Sequence, residues 1–153
     1  MKIALASDHR GFKLKDVLSE FLKEKGHTIV DYGTFSKESC DYPDYAYKAA
    51  SAVRDKKADR AIVICYTGVG SAIAANKVKG IRAVLAYDLK SAYMSRRHND
   101  SNVLVLSSYF FSIDYLKKLI LRWLKEEFEG GRHTRRIKKI SEIEELEGQR
   151  WIK

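Results

Sequence analysis

The chain has 153 residues, of which 45% are hydrophobic and 32% charged, as expected for one soluble globular domain. No apolar run approaches the roughly 18 residues that a membrane span needs, and the N-terminus lacks a signal-peptide layout, so we expect a cytoplasmic location. Two cysteines, Cys40 and Cys65, are too few for a disulfide framework and lack zinc-site spacing. The net charge of +9 is compatible with nucleic acid, a phosphorylated metabolite or a solvated basic surface.

Apolar patterning predicts short strands that alternate with helices along the chain. The strands are predicted at 3–6, 28–30, 61–65, 81–86 and 103–106. The helices are predicted from about 14 to 22, 43 to 54, 72 to 77, 89 to 97 and 116 to 124. This alternation is typical of an α/β fold, and we predict a three-layer α/β/α sandwich with a five-stranded parallel, Rossmann-like sheet. The order of the strands cannot be read from the pattern.

A glycine pair separates a C-terminal extension from this predicted domain. Residues 1–129 are predicted to form the α/β domain, and 130–153 an extension that begins at Gly130 and Gly131. A short helix with Ile137, Ile140 and Ile143 on one side follows. Because no later segment offers this apolar side a core, we expect the extension to pack on a partner subunit.

The most informative stretch runs from the third strand into a glycine-containing turn. Cys65 ends that strand, and Gly68 and Gly70 precede the predicted helix. The field of a helix N-terminus favours a thiolate, so we expect a lowered pKa for the Cys65 thiol. The turn lacks the third glycine of a dinucleotide fingerprint and the lysine of a Walker A loop, and better suits one oxyanion. The alternative is a buried cysteine that serves only as a small hydrophobe.

Other polar groups are predicted near the same edge of the sheet. Asp8 and His9 follow the first strand, and His98 with Asn99 lies in a predicted polar turn before the fifth strand. Parallel sheets bind ligands beyond the carboxyl ends of their strands, where we expect these groups to join Cys65. A purely structural role is equally open for each of them.

Two arginines in the extension have the spacing of one helical face. Arg132 and Arg136 are four residues apart and are placed to bind a single phosphate. A solvated basic face is the alternative. Nucleic acid is disfavoured, since no aromatic residues are interleaved with this basic cluster.

Together these motifs resemble one family along the chain from Met1 to about Glu144. The motifs are Ser7-Asp8-His9-x-Gly11-Phe12, Asp31-Tyr32-Gly33-Thr34, Asp41-Tyr42-Pro43, Cys65-x-Thr67-Gly68-Val69-Gly70, Ile73-Ala74-Ala75-Asn76-Lys77, Gly80-Ile81-Arg82-Ala83, Arg97-His98-Asn99-Asp100-x-Asn102-Val103-Leu104 and Gly130-Gly131-Arg132-His133. The chain is similar to the type B ribose-5-phosphate isomerases and to the related galactose-6-phosphate and allose-6-phosphate isomerases.

The resemblance implies metal-free, cofactor-free isomerisation of an aldose phosphate to a ketose phosphate through a cis-enediolate. It implies that Cys65 is the base, because the other subgroup uses a glutamate at the position of Ser71. It implies that His98 opens the sugar ring and that Thr67 helps move protons between the sugar oxygens. Ribose 5-phosphate and ribulose 5-phosphate are the expected pair.

The resemblance also implies the substrate contacts and the assembly. The expected substrate-binding residues are Asp8 and Asn99 for sugar hydroxyls, Gly68, Gly70 and Ser71 for the enediolate oxygen, and His9, Arg132 and Arg136 for the phosphate. The family's sites lie at a dimer interface, so we expect a homodimer or a dimer of dimers, with neither nucleic acid nor membrane as a partner.

Two positions depart from the family pattern. Tyr66 stands where the family usually has glycine, and Tyr109 where it commonly has a phosphate-binding arginine. Arg10 or Arg135 is a candidate to compensate. These departures leave two alternatives open: an isomerase of hexose 6-phosphates (allose or galactose), or a catalytically silent basic module that binds phosphosugars or nucleic acid.

Overall fold

The computed structural model describes the backbone of residues 1–150 and the side chains of residues 1–148. The end of the predicted extension, residues 151–153, lies outside the described residues. The strands are β1 (Lys2–Ser7), β2 (Thr28–Asp31), β3 (Arg60–Cys65), β4 (Ala83–Leu85) and β5 (Val103–Ser107). The helices are α1 (Phe12–Glu24), α2 (Tyr42–Arg54), α3 (Val69–Ala75), α4 (Leu89–Asn99), α5 (Ile113–Lys125) and α6 (Arg132–Arg150).

The five strands form one parallel sheet in the order β2-β1-β3-β5-β4. The period-two alternation of a strand sends larger aliphatic side chains to one face and smaller ones to the other. The larger side chains, such as Ile62 and Leu104, pack with α1, α4 and α5. The smaller ones, such as Ala61 and Val63, pack against the alanines of α2 and against α3. The predicted α/β/α sandwich with a five-stranded parallel sheet is therefore confirmed.

Several predicted boundaries were wrong near the polar loops. Helix α3 begins at Val69 rather than Ala72, because Gly68 ends the loop in the left-handed region (φ 84°) and the helix starts directly after it. Strand β4 is limited to Ala83–Leu85. Helix α4 continues to Asn99, so His98 and Asn99 belong to its last turn rather than to a polar turn.

Helix α6 is the longest described helix, with 19 residues, rather than the short helix predicted. Its apolar residues Ile140 and Ile143 are 47% and 59% exposed. The Glu144 carboxylate accepts hydrogen bonds from the Gly80 N–H at 2.9 and 3.0 Å, which ties the helix to the body of the domain. That α6 packs on a partner subunit stays a prediction. None of the described helices is long and apolar enough to cross a membrane.

Candidate active site

The thiol of Cys65 meets a carboxylate at the carboxyl edge of the sheet. Strands β1 and β3 are neighbours, with Ser7 paired to Ile64, so the residues that follow come side by side. Cys65 Sγ donates to Asp8 Oδ2 at 3.0 Å, and both residues are buried, at 6% and 5% exposure. Asp8 Oδ1 accepts from the N–H groups of Arg10 and Gly11, both at 2.9 Å. The carboxylate is thus held in place by its own loop while it contacts the thiol.

The turn after Cys65 leads directly into α3. A Cβ on Gly68 would lie 2.5 Å from Leu85 Cδ1, and one on Gly70 would lie 2.5 Å from Tyr42 Cζ, so neither position has room for a side chain. The first N–H groups of a helix have no acceptor within the helix. In α3 these are the N–H groups of Val69, Gly70 and Ser71, which lie at this edge of the sheet. Thr67 Oγ1 accepts from the Val69 N–H at 3.4 Å. The turn and the thiol form one compact group.

The predicted lowering of the Cys65 pKa was wrong for this structure. Burial raises the pKa of the thiol above its ordinary value, and the hydrogen bond and negative charge of Asp8 raise it further. The Ser71 side chain and the Gly68 N–H oppose the rise without cancelling it. Ser71 is 1% exposed, and its hydroxyl makes no hydrogen bond of normal geometry with a described residue. The proton of the thiol therefore lies between Cys65 Sγ and the Asp8 carboxylate.

His9 lies beside this pair in a cationic cavity. Its Nδ1 accepts from the Cys40 N–H at 3.2 Å, which places Nε2 as the protonated nitrogen of the neutral ring. A cavity of about 420 Å³ is lined by His9, Arg10, Lys13, Lys37 and Ser39. Lysine and arginine side chains with no acidic residue among them favour an anionic group.

The two residues that depart from the family pattern are in contact. The rings of Tyr66 and Tyr109 have centroids 4.6 Å apart, and Arg10 lies over the Tyr66 ring at 5.5 Å. Both tyrosines are exposed next to the thiol, Tyr66 at 42% and Tyr109 at 60%. They form an aromatic wall at the mouth of the site.

His98 and Asn99 do not join Cys65 at the carboxyl edge, which corrects the sequence-based expectation. Helix α4 runs back along the sheet, so its last turn lies near the starts of the strands. Arg82, directly before β4, donates through Nε to the carbonyl oxygens of Asn99 and Asp100 at 2.9 and 3.0 Å. Strand β5 pairs Val103 with Ala61 at this end and Ser107 with Cys65 at the other, which separates the two edges by about 13 Å.

A second cluster of site residues gathers at this amino edge. The His98 and His133 rings stack with centroids 4.2 Å apart and planes 8° from parallel. Glu129 Oε2 lies 3.9 Å from His98 Nε2 and accepts from Arg97 at 3.0 Å. Burial lowers the pKa of His133, and the neighbouring His98 and Arg132 lower it further. Sequence reasoning singled out neither Glu129 nor the His133 ring, although the Gly130–His133 motif contains the latter.

The geometry of this cluster does not converge on a metal ion. His98, Glu129 and His133 have potential ligand atoms within 4.8 Å of one another. Because the two imidazoles are stacked nearly parallel, one metal ion cannot lie in both ring planes, as coordination requires. Arg97 and Arg132 add positive charge next to the same three groups.

The two predicted phosphate arginines lie at the start of α6. Arg132 and Arg136 are exposed, and Arg132 Nε lies 3.4 Å from His133 Nε2. The structure thus brings Asp8, His9, Cys65, Thr67 and the Gly68–Ser71 turn together at one edge. It brings His98, Asn99 and the α6 arginines to the other.

Comparison with known proteins identifies the family. The model of the Ribose/Galactose Isomerase family matches residues 3–140. The ribose-5-phosphate isomerase B of Escherichia coli is 46% identical over 144 residues, covering 94% of this chain and 97% of its own. The structure of a Clostridium thermocellum ribose-5-phosphate isomerase B superposes with a TM-score of 0.94 at 49% identity, covering 95% of this chain and 99% of that one.

A third relative was solved with a sugar phosphate in place. The Mycoplasma genitalium ribose-5-phosphate isomerase B with bound ribulose-5-phosphate is 45% identical, with a TM-score of 0.90 and coverage of 94% and 96% of the two chains. A family model that covers most of the chain and relatives of this identity lead to one conclusion. The chain belongs to the Ribose/Galactose Isomerase family.

Proposed function

We propose that this chain interconverts ribose 5-phosphate and ribulose 5-phosphate, as an aldose–ketose isomerase with Cys65 as the base. The relatives named ribose-5-phosphate isomerase B cover nearly the whole chain, and one of them was solved with ribulose-5-phosphate bound. The observation that supports the chemistry most directly is the buried thiol–carboxylate pair of Cys65 and Asp8, at 3.0 Å beside the N-terminus of α3. A positioned acid–base group contributes about 10²- to 10⁴-fold to a proton transfer.

The reaction requires a proton to move between two carbons of an opened sugar. His98 protonates the ring oxygen and takes the proton of the C1 hydroxyl, which gives the open aldehyde. The Cys65 thiolate then removes the proton from C2, and the electron pair forms the C1–C2 double bond of a cis-enediolate. Return of the proton from the thiol to C1, with transfer of the O2 proton to O1 through Thr67, gives the ketose.

The surroundings of the thiol determine how the base is generated. Asp8 accepts a hydrogen bond from the thiol and is the acceptor available for its proton when substrate arrives. The N–H groups of the Gly68–Ser71 turn stabilise the enediolate oxygen, where negative charge develops in the transition state. Asp8 and Asn99 are proposed to bind sugar hydroxyls, and His9, Arg132 and Arg136 to bind the phosphate.

A complete site in this scheme requires two copies of the chain. His98 lies at the amino edge of the sheet, about 13 Å along β5 from the level of Cys65. The ring-opening group and the α6 arginines of one copy are therefore proposed to serve the thiol of another, in a homodimer or a dimer of dimers. In that assembly the exposed apolar residues of α6 are proposed to pack on the other copy. Residues 130–153 are proposed to act as an extension distinct from residues 1–129.

The proposal includes independence from metal ions and a cytoplasmic location. Proton transfer through an enediolate requires a base and oxyanion donors, and the described residues supply both. The stacked His98 and His133 rings do not converge on a metal ion.

The direct test is turnover of ribose 5-phosphate, with and without a chelator, by the wild type and by Cys65→Ala. We expect activity that survives chelation and falls about 10³-fold in Cys65→Ala. Cys65→Ser keeps the shape of the side chain and should be equally impaired, because a hydroxyl loses its proton far less readily than a thiol. Cys40→Ala is the control for the other cysteine: it keeps the 3.2 Å backbone N–H bond to His9 Nδ1 and removes only the longer 3.8 Å Sγ contact with that nitrogen. Near-normal turnover in Cys65→Ala would refute the role of the thiol. A wild type silent toward ribose 5-phosphate but active on allose 6-phosphate or galactose 6-phosphate would move the substrate to the hexoses.

A further inference from the structure

Arg10, Tyr66 and Tyr109 form one stack across three strand ends. They follow β1, β3 and β5, which are adjacent in the sheet. The Tyr109 N–H donates to the Tyr66 carbonyl at 3.2 Å, and the Ser107 hydroxyl donates to the same carbonyl at 2.7 Å. Tyr66 is thereby fixed at its backbone and backed by the Tyr109 ring. The Arg10 guanidinium lies over the Tyr66 ring, 5.5 Å from its centroid, within cation–π range.

This guanidinium has no acidic partner in the part of the chain that the structure describes. Arg10 lines the cavity of about 420 Å³ together with His9, Lys13 and Lys37, and no acidic side chain contributes to that wall. An arginine whose planar face rests on an aromatic ring keeps its in-plane N–H groups for an anion. An exposed arginine normally loses rotamer freedom when it binds, and a ring that already holds it reduces that loss.

The Arg10 backbone is held at a fixed position relative to the thiol, and the Tyr66 ring holds its guanidinium. One Asp8 oxygen accepts from the Arg10 N–H at 2.9 Å, and the other accepts from Cys65 Sγ at 3.0 Å. The reacting carbons and the phosphate are the two ends of one small molecule. A cationic wall next to the thiol therefore suits the phosphate end when C1 and C2 lie at Cys65.

We propose that Arg10 binds the phosphate of the sugar phosphate, and that Tyr66, backed by Tyr109, is the positioning residue that holds Arg10 for this contact. The proposal rests on the proposed function for its substrate. Phosphate does not react, so Arg10 acts on binding of substrate and transition state alike and leaves the chemical step to Cys65.

The kinetic test compares four variants on ribose 5-phosphate. Arg10→Gln should raise KM about 10- to 100-fold at nearly unchanged kcat, because a charge-assisted contact to a non-reacting group is lost. Tyr66→Leu should raise KM about 2- to 5-fold, and Tyr66→Phe, which keeps the ring face, should restore the wild-type value. Arg54→Gln removes the same charge from the last residue of α2 and should leave KM unchanged. An unchanged KM in Arg10→Gln, or a fall in kcat as large as the rise in KM, overturns the assignment of Arg10.

The double variant tests the positioning role. Arg10→Gln with Tyr66→Leu should match Arg10→Gln alone, because Tyr66 acts only through Arg10. Additive effects, or equal KM values for Tyr66→Leu and Tyr66→Phe, overturn the role of Tyr66.

Inorganic phosphate provides a readout that does not depend on turnover. Titration calorimetry on the intact wild type and on Arg10→Gln should show weaker phosphate binding by the variant, at an equal melting temperature. Equal affinity overturns the proposal for Arg10 even where the wild type isomerises ribose 5-phosphate. Weaker binding by the variant supports it even where the wild type acts on another sugar phosphate.

Discussion

The two edges of the sheet differ in the burial and the charge of their polar side chains. At the carboxyl edge, Cys65 and Asp8 are 6% and 5% exposed and share a hydrogen bond. At the amino edge, the side chains of His98 and Glu129 are 26% and 43% exposed and lie among arginines. One edge holds the proposed base in a buried, prearranged pair, and the other holds the partly exposed His98 and guanidinium groups beside the buried His133 ring.

In our account, each edge of the sheet supplies part of one reaction. The carboxyl edge has the proposed base and oxyanion donors, and its imidazole, His9, is assigned to the phosphate rather than to ring opening. The amino edge has His98, Arg132 and Arg136 but no thiol. Because helices in a parallel α/β sheet run opposite to the strands, one chain cannot fold these groups together. Association of two copies is what joins them in our account.

Among the variants that test the two edges separately, the largest loss of kcat is expected from His98→Asn. Loss of the ring-opening group should lower kcat about 10²-fold or more. The alkylation rate of Cys65 in the absence of substrate should stay close to the wild-type value, because the thiol is hydrogen-bonded to Asp8 of its own chain and His98 acts on the sugar ring oxygen. Iodoacetamide labelling followed by mass spectrometry measures that rate. A His98→Asn chain with normal kcat would remove His98 from the reaction.

A smaller effect is expected from Arg136→Ala. The guanidinium contacts a non-reacting phosphate in our proposal, so KM should rise about 10-fold while kcat stays nearly constant. Lys139→Ala, which removes an exposed cation from the same helix, is the matched control and should leave KM unchanged. Equal KM values for Arg136→Ala and the wild type would take Arg136 out of the site.

The smallest effect concerns the pH dependence of stability at the carboxyl edge. The Cys65 pKa is raised in the folded chain, chiefly by burial and then by Asp8. The thiol of the unfolded chain has a pKa of about 8.5. Because the folded chain holds the proton more tightly, protonation of Cys65 stabilises the fold below that pH. This stabilisation is lost as the pH rises through the pKa of the folded chain. The free energy of unfolding should therefore fall more steeply above about pH 8.5 in the wild type than in Cys65→Ala. Parallel profiles in denaturant titrations would contradict the raised pKa.

The fold was predictable because its pattern is local. The alternation of short apolar runs with amphipathic stretches predicted every strand and a helix after each one, and the apolar face of α5 is buried as expected at Leu116, Leu119, Ile120, Trp123 and Leu124. Strand order was not predictable, since it depends on contacts between residues far apart in sequence.

The identity of the candidate site residues was easier to predict than their positions in the fold. Its residues follow from the resemblance, and their roles stay predictions. The position of His98 was mistaken because a residue in the last turn of a helix, which lies near the starts of the strands, was assigned to the edge where the strands end. The Cys65 pKa was mistaken because the helix field was weighed without burial and without Asp8, which is 57 residues away and reaches the thiol only in the fold.

The most direct test of a site shared between two copies is a mixed dimer of Cys65→Ala and His98→Asn. The two variants, carrying different tags, are co-expressed, and the species that retains both tags is purified. In a two-fold dimer, one of the two sites then combines the intact Cys65 of one copy with the intact His98 of the other. Our account predicts about half of the wild-type turnover per dimer, although each parent is nearly inactive. A mixed dimer as inactive as its parents would contradict it.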